Sequence, residues 1–139
     1  MFNKILHAND GSDHAFRALA LALQLAKQNA AELHIVSVEE IPYLPITIEE
    51  VQEATEVAAR RFHVAFLRAN VMAAELGVEI RTHLLAGHPV RTIVDLASEL
   101  GADLLVIGGT GHSALYERMI GSRADRIVQL AGCPVLVVK

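Results

Sequence analysis

Short apolar runs alternate with longer stretches in which apolar residues recur every three or four positions along this 139-residue chain. That alternation is the mark of strands and helices following one another in a parallel α/β sheet. The first run, residues 2–8, ends in Asn9-Asp10-Gly11-Ser12-Asp13, a cluster of turn formers. Ser12 is placed to cap a helix, with Asp13 in its first turn, and Phe16, Leu19, Ala20 and Leu23 then recur at helical spacing. Residues 33–38 read as the second strand. Residues 39–46 hold Pro42 and Pro45 and read as a loop. Thr47 with Glu50 forms a capping-box pattern opening a long helix. The inward stripe of that helix runs Val51, Ala54, Ala58, Phe62, Ala65, Ala69, Met72 and Leu76, and Gly77 ends it.

Residues 78–85 read as strand three. Pro89 falls in the first turn of the third helix, where no backbone N–H is needed, and Gly101 stops that helix. Residues 104–107 form an uncharged fourth strand, which predicts burial on both faces. After a Gly-rich loop, Ser122 is read as the cap of a short helix with Ile127, Val128 and Ala131 inward. Gly132 stops it, and the fifth strand runs from Pro134 to Val138. The expected fold is α/β, a doubly wound open five-stranded parallel sheet of order 3-2-1-4-5 with helices on both faces. Ligands of such sheets bind beyond the strand C-termini at the topological switch point, here the turns after strands one and four.

Composition narrows this picture. At 139 residues with 53% hydrophobic and 20% charged positions, one folded domain spanning 1–139 is expected. Aromatic residues make up 4% and Trp is absent, so the core must be aliphatic. The net charge of −4 disfavours a nucleic-acid-binding face. It is unevenly spread, at −5 over residues 1–100 and +1 over residues 101–139. The single cysteine, Cys133, permits no intramolecular disulfide and fits a reducing compartment. The opening residues lack the pattern of a signal peptide, and the apolar stretch 18–26 is too short to cross a bilayer. A cytoplasmic protein with no membrane insertion is expected.

The candidate chemistry sits after strand four, where Gly108-Gly109-Thr110-Gly111 is followed by nine residues and then Gly121-Ser122. Glycines let a backbone turn its N–H groups toward a phosphate. The first N–H groups of a helix, with the positive end of its dipole, attract an anion. A flexible surface loop ending in a helix cap is the competing reading of the same residues.

The spacing Gly108-x2-Gly111-x9-Gly121-Ser122 resembles the ATP-binding signature of universal stress proteins at all four positions. Residues 4–12, 101–108 and 133–138 resemble that family's first, fourth and last strands, so the likeness covers nearly the whole chain. The resemblance implies ATP, with or without Mg2+, as the ligand. It places Ala8 and Asp10 at the nucleoside end, Val38 in the adenine pocket, and Ile107 and Gly108 against the ribose. Gly111, His112, Gly121, Ser122 and Arg123 are placed at the phosphates. It also implies a homodimer paired through strand five, residues 134–138, without choosing between that dimer and a larger assembly. Two departures from the family stand out. His7 and Asn9 occupy positions more often aliphatic, and Arg123 follows the Gly-Ser pair where a small apolar residue is commoner.

Other signals are set aside. Gly109-x-Gly111-x-x-Ala114 fits a dinucleotide fingerprint but follows strand four instead of strand one, with no acid ending the next strand. No Gly-x4-Gly-Lys-Ser/Thr occurs, so no P-loop lysine reaches a terminal phosphate and rapid phosphoryl transfer is not expected. The seven histidines show no tight ligand pair, and no Gly-x-Ser-x-Gly elbow occurs. Tyr43 is read as a surface aromatic, and Arg60, Arg61 and Arg68 as a solvated face. Two rival functions remain. A receiver-like phosphotransfer domain would need an acid ending strand three, where Leu84-Leu85-Ala86 stand. A nucleotide-free scaffold of the same family would generally lack the glycine signature.

Overall fold

A computed structural model describes residues 1–40, 47–109 and 119–139. Its elements are β1 (Lys4–Ala8), α1 (Asp13–Asn29), β2 (Glu32–Glu39), α2 (Ile48–Leu76), β3 (Ile80–Ala86), α3 (Pro89–Leu100), β4 (Leu104–Gly108), α4 (Ser122–Leu130) and β5 (Val135–Val138). The sheet order is β3-β2-β1-β4-β5 and every pairing is parallel, as the apolar pattern predicts.

Because successive strand residues face opposite ways, each central strand feeds two cores. Ile5, Leu33, Ile35, Leu104 and Val106 pack against α1 and α2 through Leu19, Leu23, Ala69 and Ala73. Leu6, Val36, Leu105 and Ile107 pack against α3 and α4 through Val90, Ile93, Ala97 and Ile127. β4 is buried from Leu104 to Ile107, so its uncharged sequence does report burial on both faces.

Helix termini set the frame. The Ser12 hydroxyl accepts from Ala15 N–H at the start of α1, and Thr47 and Glu50 form a reciprocal capping box at the start of α2. At the other end of α2, Gly77 adopts φ +68° and its N–H donates to the Ala74 carbonyl, while Val78 N–H donates to that of Ala73. These bonds satisfy orphan helix carbonyls. They also engage Val78, and β3 begins at Ile80, two residues later than the apolar run suggests. α1 ends the same way on Ala30, a non-glycine residue at φ +50°.

Three expectations change. The inward stripe of α2 is real only from Phe62 onward, since Val51 and Ala54 are exposed and Ala58 half-buried. A 29-residue helix is about 43 Å long whereas the eight-residue β2 spans about 26 Å, so the first turns of α2 overhang the sheet. Ser122 is the first residue of α4 and not its cap. Gly121 holds the cap position, and among the described residues no side chain caps the helix. Val128 points outward at 45% exposure, while Ile127 is buried.

Candidate functional site

The C-terminal ends of β1, β2 and β4 open onto one cavity of about 1050 Å³, roofed on one side by the overhanging turns of α2 and closed by the first turn of α4. It lies at the switch point between β1 and β4, where helices leave the sheet on opposite sides.

Its floor is a buried polar network built by the two residues that depart from the family pattern. His7 is fully buried, and its Nδ1 lies 3.0 Å from the Val106 carbonyl, an acceptor only. Nδ1 therefore carries the proton, and Nε2 accepts from the Asn9 side-chain amide at 3.2 Å. The Asn9 amide oxygen then accepts from Gly11 N–H at 2.8 Å, and its backbone carbonyl accepts from the Ser37 hydroxyl at 2.7 Å. Asp10 Oδ1 accepts from Ser12 N–H at 2.9 Å. The turn is locked link by link, and Gly11 at φ +85° supplies the one left-handed step it requires. Burial of His7 pushes its pKa down to about 4, against opposing contributions from the Val106 carbonyl and the Asp10 carboxylate. The ring is neutral at physiological pH.

The opposite wall is backbone. A Cβ on Gly108 would meet the His14 carbonyl carbon and oxygen at 3.4 Å, so β4 ends tight against the first turn of α1. Gly109 N–H donates to the Val138 carbonyl at 2.8 Å, and the Gly109 carbonyl accepts from Gly121 N–H at 2.7 Å. The end of β4 is thereby joined to the end of β5 and to the start of α4. With no side-chain cap, the first N–H groups of α4 stand at the cavity where Gly121, Ser122 and Arg123 line it. Exposed backbone donors, a helix dipole and one guanidinium together fit an anion. The Arg123 guanidinium is paired with the carboxylate of Glu40, just beyond β2.

Of the residues singled out from the sequence, Ala8, Asp10, Val38, Ile107, Gly108, Gly121, Ser122 and Arg123 all line this cavity. Gly111 and His112 lie outside the described residues, as do Tyr43 and Thr110. Sequence reading missed Glu39 and Glu40, and also Glu50, Glu53, Val57 and Arg61 on α2. The available signal was length, since α2 is too long for the strands it packs on. Cys133 is half-buried and burial pushes its thiol pKa up, the opposite of a reactive thiolate. Among the described residues, no helix is long and apolar enough to cross a membrane.

The doubly wound sheet with a cavity at its switch point makes this an open α/β domain of the kind whose sites lie beyond the strand C-termini. The chain belongs to the universal stress protein family, whose model matches residues 1–139. It is 37% identical to universal stress protein YxiE of Bacillus subtilis, over the whole of both chains. Its fold superimposes on the universal stress protein UspA from Lactobacillus plantarum with a TM-score of 0.84 at 26% identity, covering 99% of this chain and 97% of that one. A universal stress protein in complex with cAMP matches with a TM-score of 0.77 at 29% identity, over 99% and 97% of the two chains.

Proposed function

We propose that this chain is an ATP-binding member of its family, a cytoplasmic stress-response or signalling module that holds the nucleotide instead of turning it over rapidly. The observation that carries the reading is convergence. Asp10 and Val38 at one end, and the uncapped α4 terminus with Gly108 at the other, line the same cavity. The cAMP-bound relative supports an adenine nucleotide as the class of ligand.

Adenine would sit against Val38, the ribose near Asp10 and Gly108, and the phosphates on the N–H groups of Ser122 and Arg123 beside Gly121, whose own N–H is held by the Gly109 carbonyl. ATP would be held with or without Mg2+, and among the described residues no group of three or more His, Cys, Asp or Glu is placed to hold that ion. Slow turnover is supported by the lining, since no lysine among the described residues faces the cavity. We further propose that two copies pair antiparallel through β5, which stands at one edge of the sheet.

Calorimetry on the Gly121→Val variant tests the phosphate assignment. Gly121 sits at φ −64°, a conformation any residue adopts, so the fold should survive while the side chain blocks approach to the α4 amides. ATP affinity should fall by at least about tenfold, a loss of roughly 1.4 kcal/mol. Unchanged affinity would overturn the assignment. A wild-type protein that binds no nucleotide would mark it as a scaffold.

A further inference from the structure

On the α3 side of the sheet two histidines meet across the outermost strand pair. His34 of β2 is buried, and its Nδ1 lies 2.8 Å from Nε2 of the half-buried His83 on β3. Nitrogens that close cannot belong to stacked faces. The rings, with planes 20° apart and centroids 5.1 Å apart, meet edge to edge. On its other side His34 Nε2 lies 2.9 Å from Glu32 Oε1. The same carboxylate is 2.8 Å from Arg81 and 3.9 Å from Lys4. The hydrogen bond from His34, above all, holds its pKa below the ordinary carboxylate value, so it is an acceptor only.

The protons follow from that contact. Nε2 of His34 carries one, so in the neutral ring Nδ1 is bare and accepts from the Nε2–H of His83. One proton lies between the two rings, and Nδ1 of His83 is left to take another. A first added proton keeps every bond. The extra charge rests on either ring, one proton still lies between them, and the chain ends on the Glu32 carboxylate. A second puts an N–H on both facing nitrogens. Donor then meets donor, two cations stand side by side, and the contact has to break. Lys4, Glu32 and Arg81 are the charged groups at the pair. α3, packed on this side of β2, turns Val90, Ile93, Leu96 and Ala97 inward and leaves Arg91, Asp95 and Glu99 exposed. Among the described residues, then, no further carboxylate relieves the second charge.

β3 has little else to hold it. It stands at the edge of the sheet beside β2, and none of its seven residues is buried. We propose that the His34–His83 contact is an acid-operated latch, which fastens β3 to the sheet while the pair carries at most one extra proton and releases it when both rings are charged. Burial, and then the charge of His34, push the pKa of His83 down. The second proton therefore enters only in acid, and the latch opens as the pH falls.

Hydrogen exchange between pH 7.5 and 4.5, corrected for the intrinsic rate at each pH, tests it on wild type and two variants. In wild type, protection at residues 80–86 should fall at least about tenfold relative to residues 104–108. In His83→Gln the amide can present either its N–H or its carbonyl to His34, so the ratio should hold within about threefold. In His83→Leu the ratio should be low already at pH 7.5. His83 is half-buried, so both variants should fold, checked by circular dichroism. Protonation of His7 is common to all three proteins and cancels from the comparison between them. Imidazole nitrogen spectra of wild type add a reading that needs no variant, since the pair should titrate in two steps more than about one pH unit apart. Two histidines that titrate independently would overturn the shared proton. The latch would be overturned by a wild type whose two strands lose protection together, by a His83→Gln protein whose β3 loosens as steeply, or by a His83→Leu protein as protected as wild type at pH 7.5.

Discussion

The imidazole Nε2 of His7 lies 3.2 Å from the side-chain amide nitrogen of Asn9, two residues along the same strand end. The contact requires the ring to be neutral, because an imidazolium would present a second donor to a donor. Protonation therefore breaks the link that orients the turn from Asn9 to Ser12.

Stability should consequently fall in mild acid. The folded pKa of His7 is about 4 against an ordinary 6.5, owing first to burial. Above pH 6.5 neither folded nor unfolded chain binds a proton there, and the group contributes no pH dependence. Between 6.5 and 4 the unfolded chain takes the proton and the native one does not, so stability is lost over that window, by about 3 kcal/mol in all. His83, whose pKa burial also lowers, adds a loss of the same sign. Urea unfolding of wild type and His7→Leu from pH 7.5 to 4.5 isolates the His7 share. The leucine variant should show a visibly flatter profile, and parallel profiles would refute the account.

Glu40 occupies the Arg123 guanidinium that a phosphate would use. The pair is more than half exposed on both sides, which limits its worth to about 1 kcal/mol or less. Glu40→Gln should therefore tighten ATP binding by about two- to fivefold and leave adenosine binding unchanged. Calorimetry with both ligands decides the matter, and weaker ATP binding by the variant would show that the carboxylate assists.

Thr47→Ala removes the reciprocal cap of α2 at a typical cost of about 1 kcal/mol. The first turns of that helix are exposed and overhang the sheet, so the loss should stay local. Hydrogen exchange should quicken at residues 50–57 and remain unchanged beyond Phe62. A uniform change along the helix would mean that its two ends unfold as one unit.

β5 offers a specific test of the strand-paired dimer. The carbonyls of Pro134 and Val138 accept from Leu105 on β4 and from Gly109 just beyond it. The alternation of a strand then turns the N–H groups of Val135 and Val137 away from β4. Val137→Pro thus removes an outward donor while sparing the β4 ladder. A folded variant that sediments one association step below wild type supports the interface, and one that matches wild type excludes it.

Much of the fold is legible in the residues themselves. Gly77 and Gly101 stop helices because each takes the left-handed step that side chains avoid, and Leu104 to Ile107 lack any charge because neither face meets water. The end of α1 is not legible in the same way, since Ala30 takes the left-handed step without being a glycine. Ser122 looks like a cap by residue type, yet the chain turns one residue earlier, at Gly121. In the site, glycines and Asp10 announce themselves by spacing. His7 cannot, because a histidine in an apolar run reads the same whether or not its ring is satisfied, and its partner Val106 lies 99 residues away. On α2 the inward row is legible from Phe62 onward, but the overhang is not, because periodicity carries no information about where the sheet beneath ends.

Gly109 sits at a junction whose geometry reaches past the cavity. Its N–H is bound to the last residue of β5 and its carbonyl to the peptide that opens α4. A Cβ there would press on the Val137 side chain at 3.1 Å and the Val138 carbonyl at 3.3 Å, so the junction has no slack. The two bonds leave Gly109 through successive peptide planes, so any side chain placed there would disturb the sheet edge and the start of α4 together.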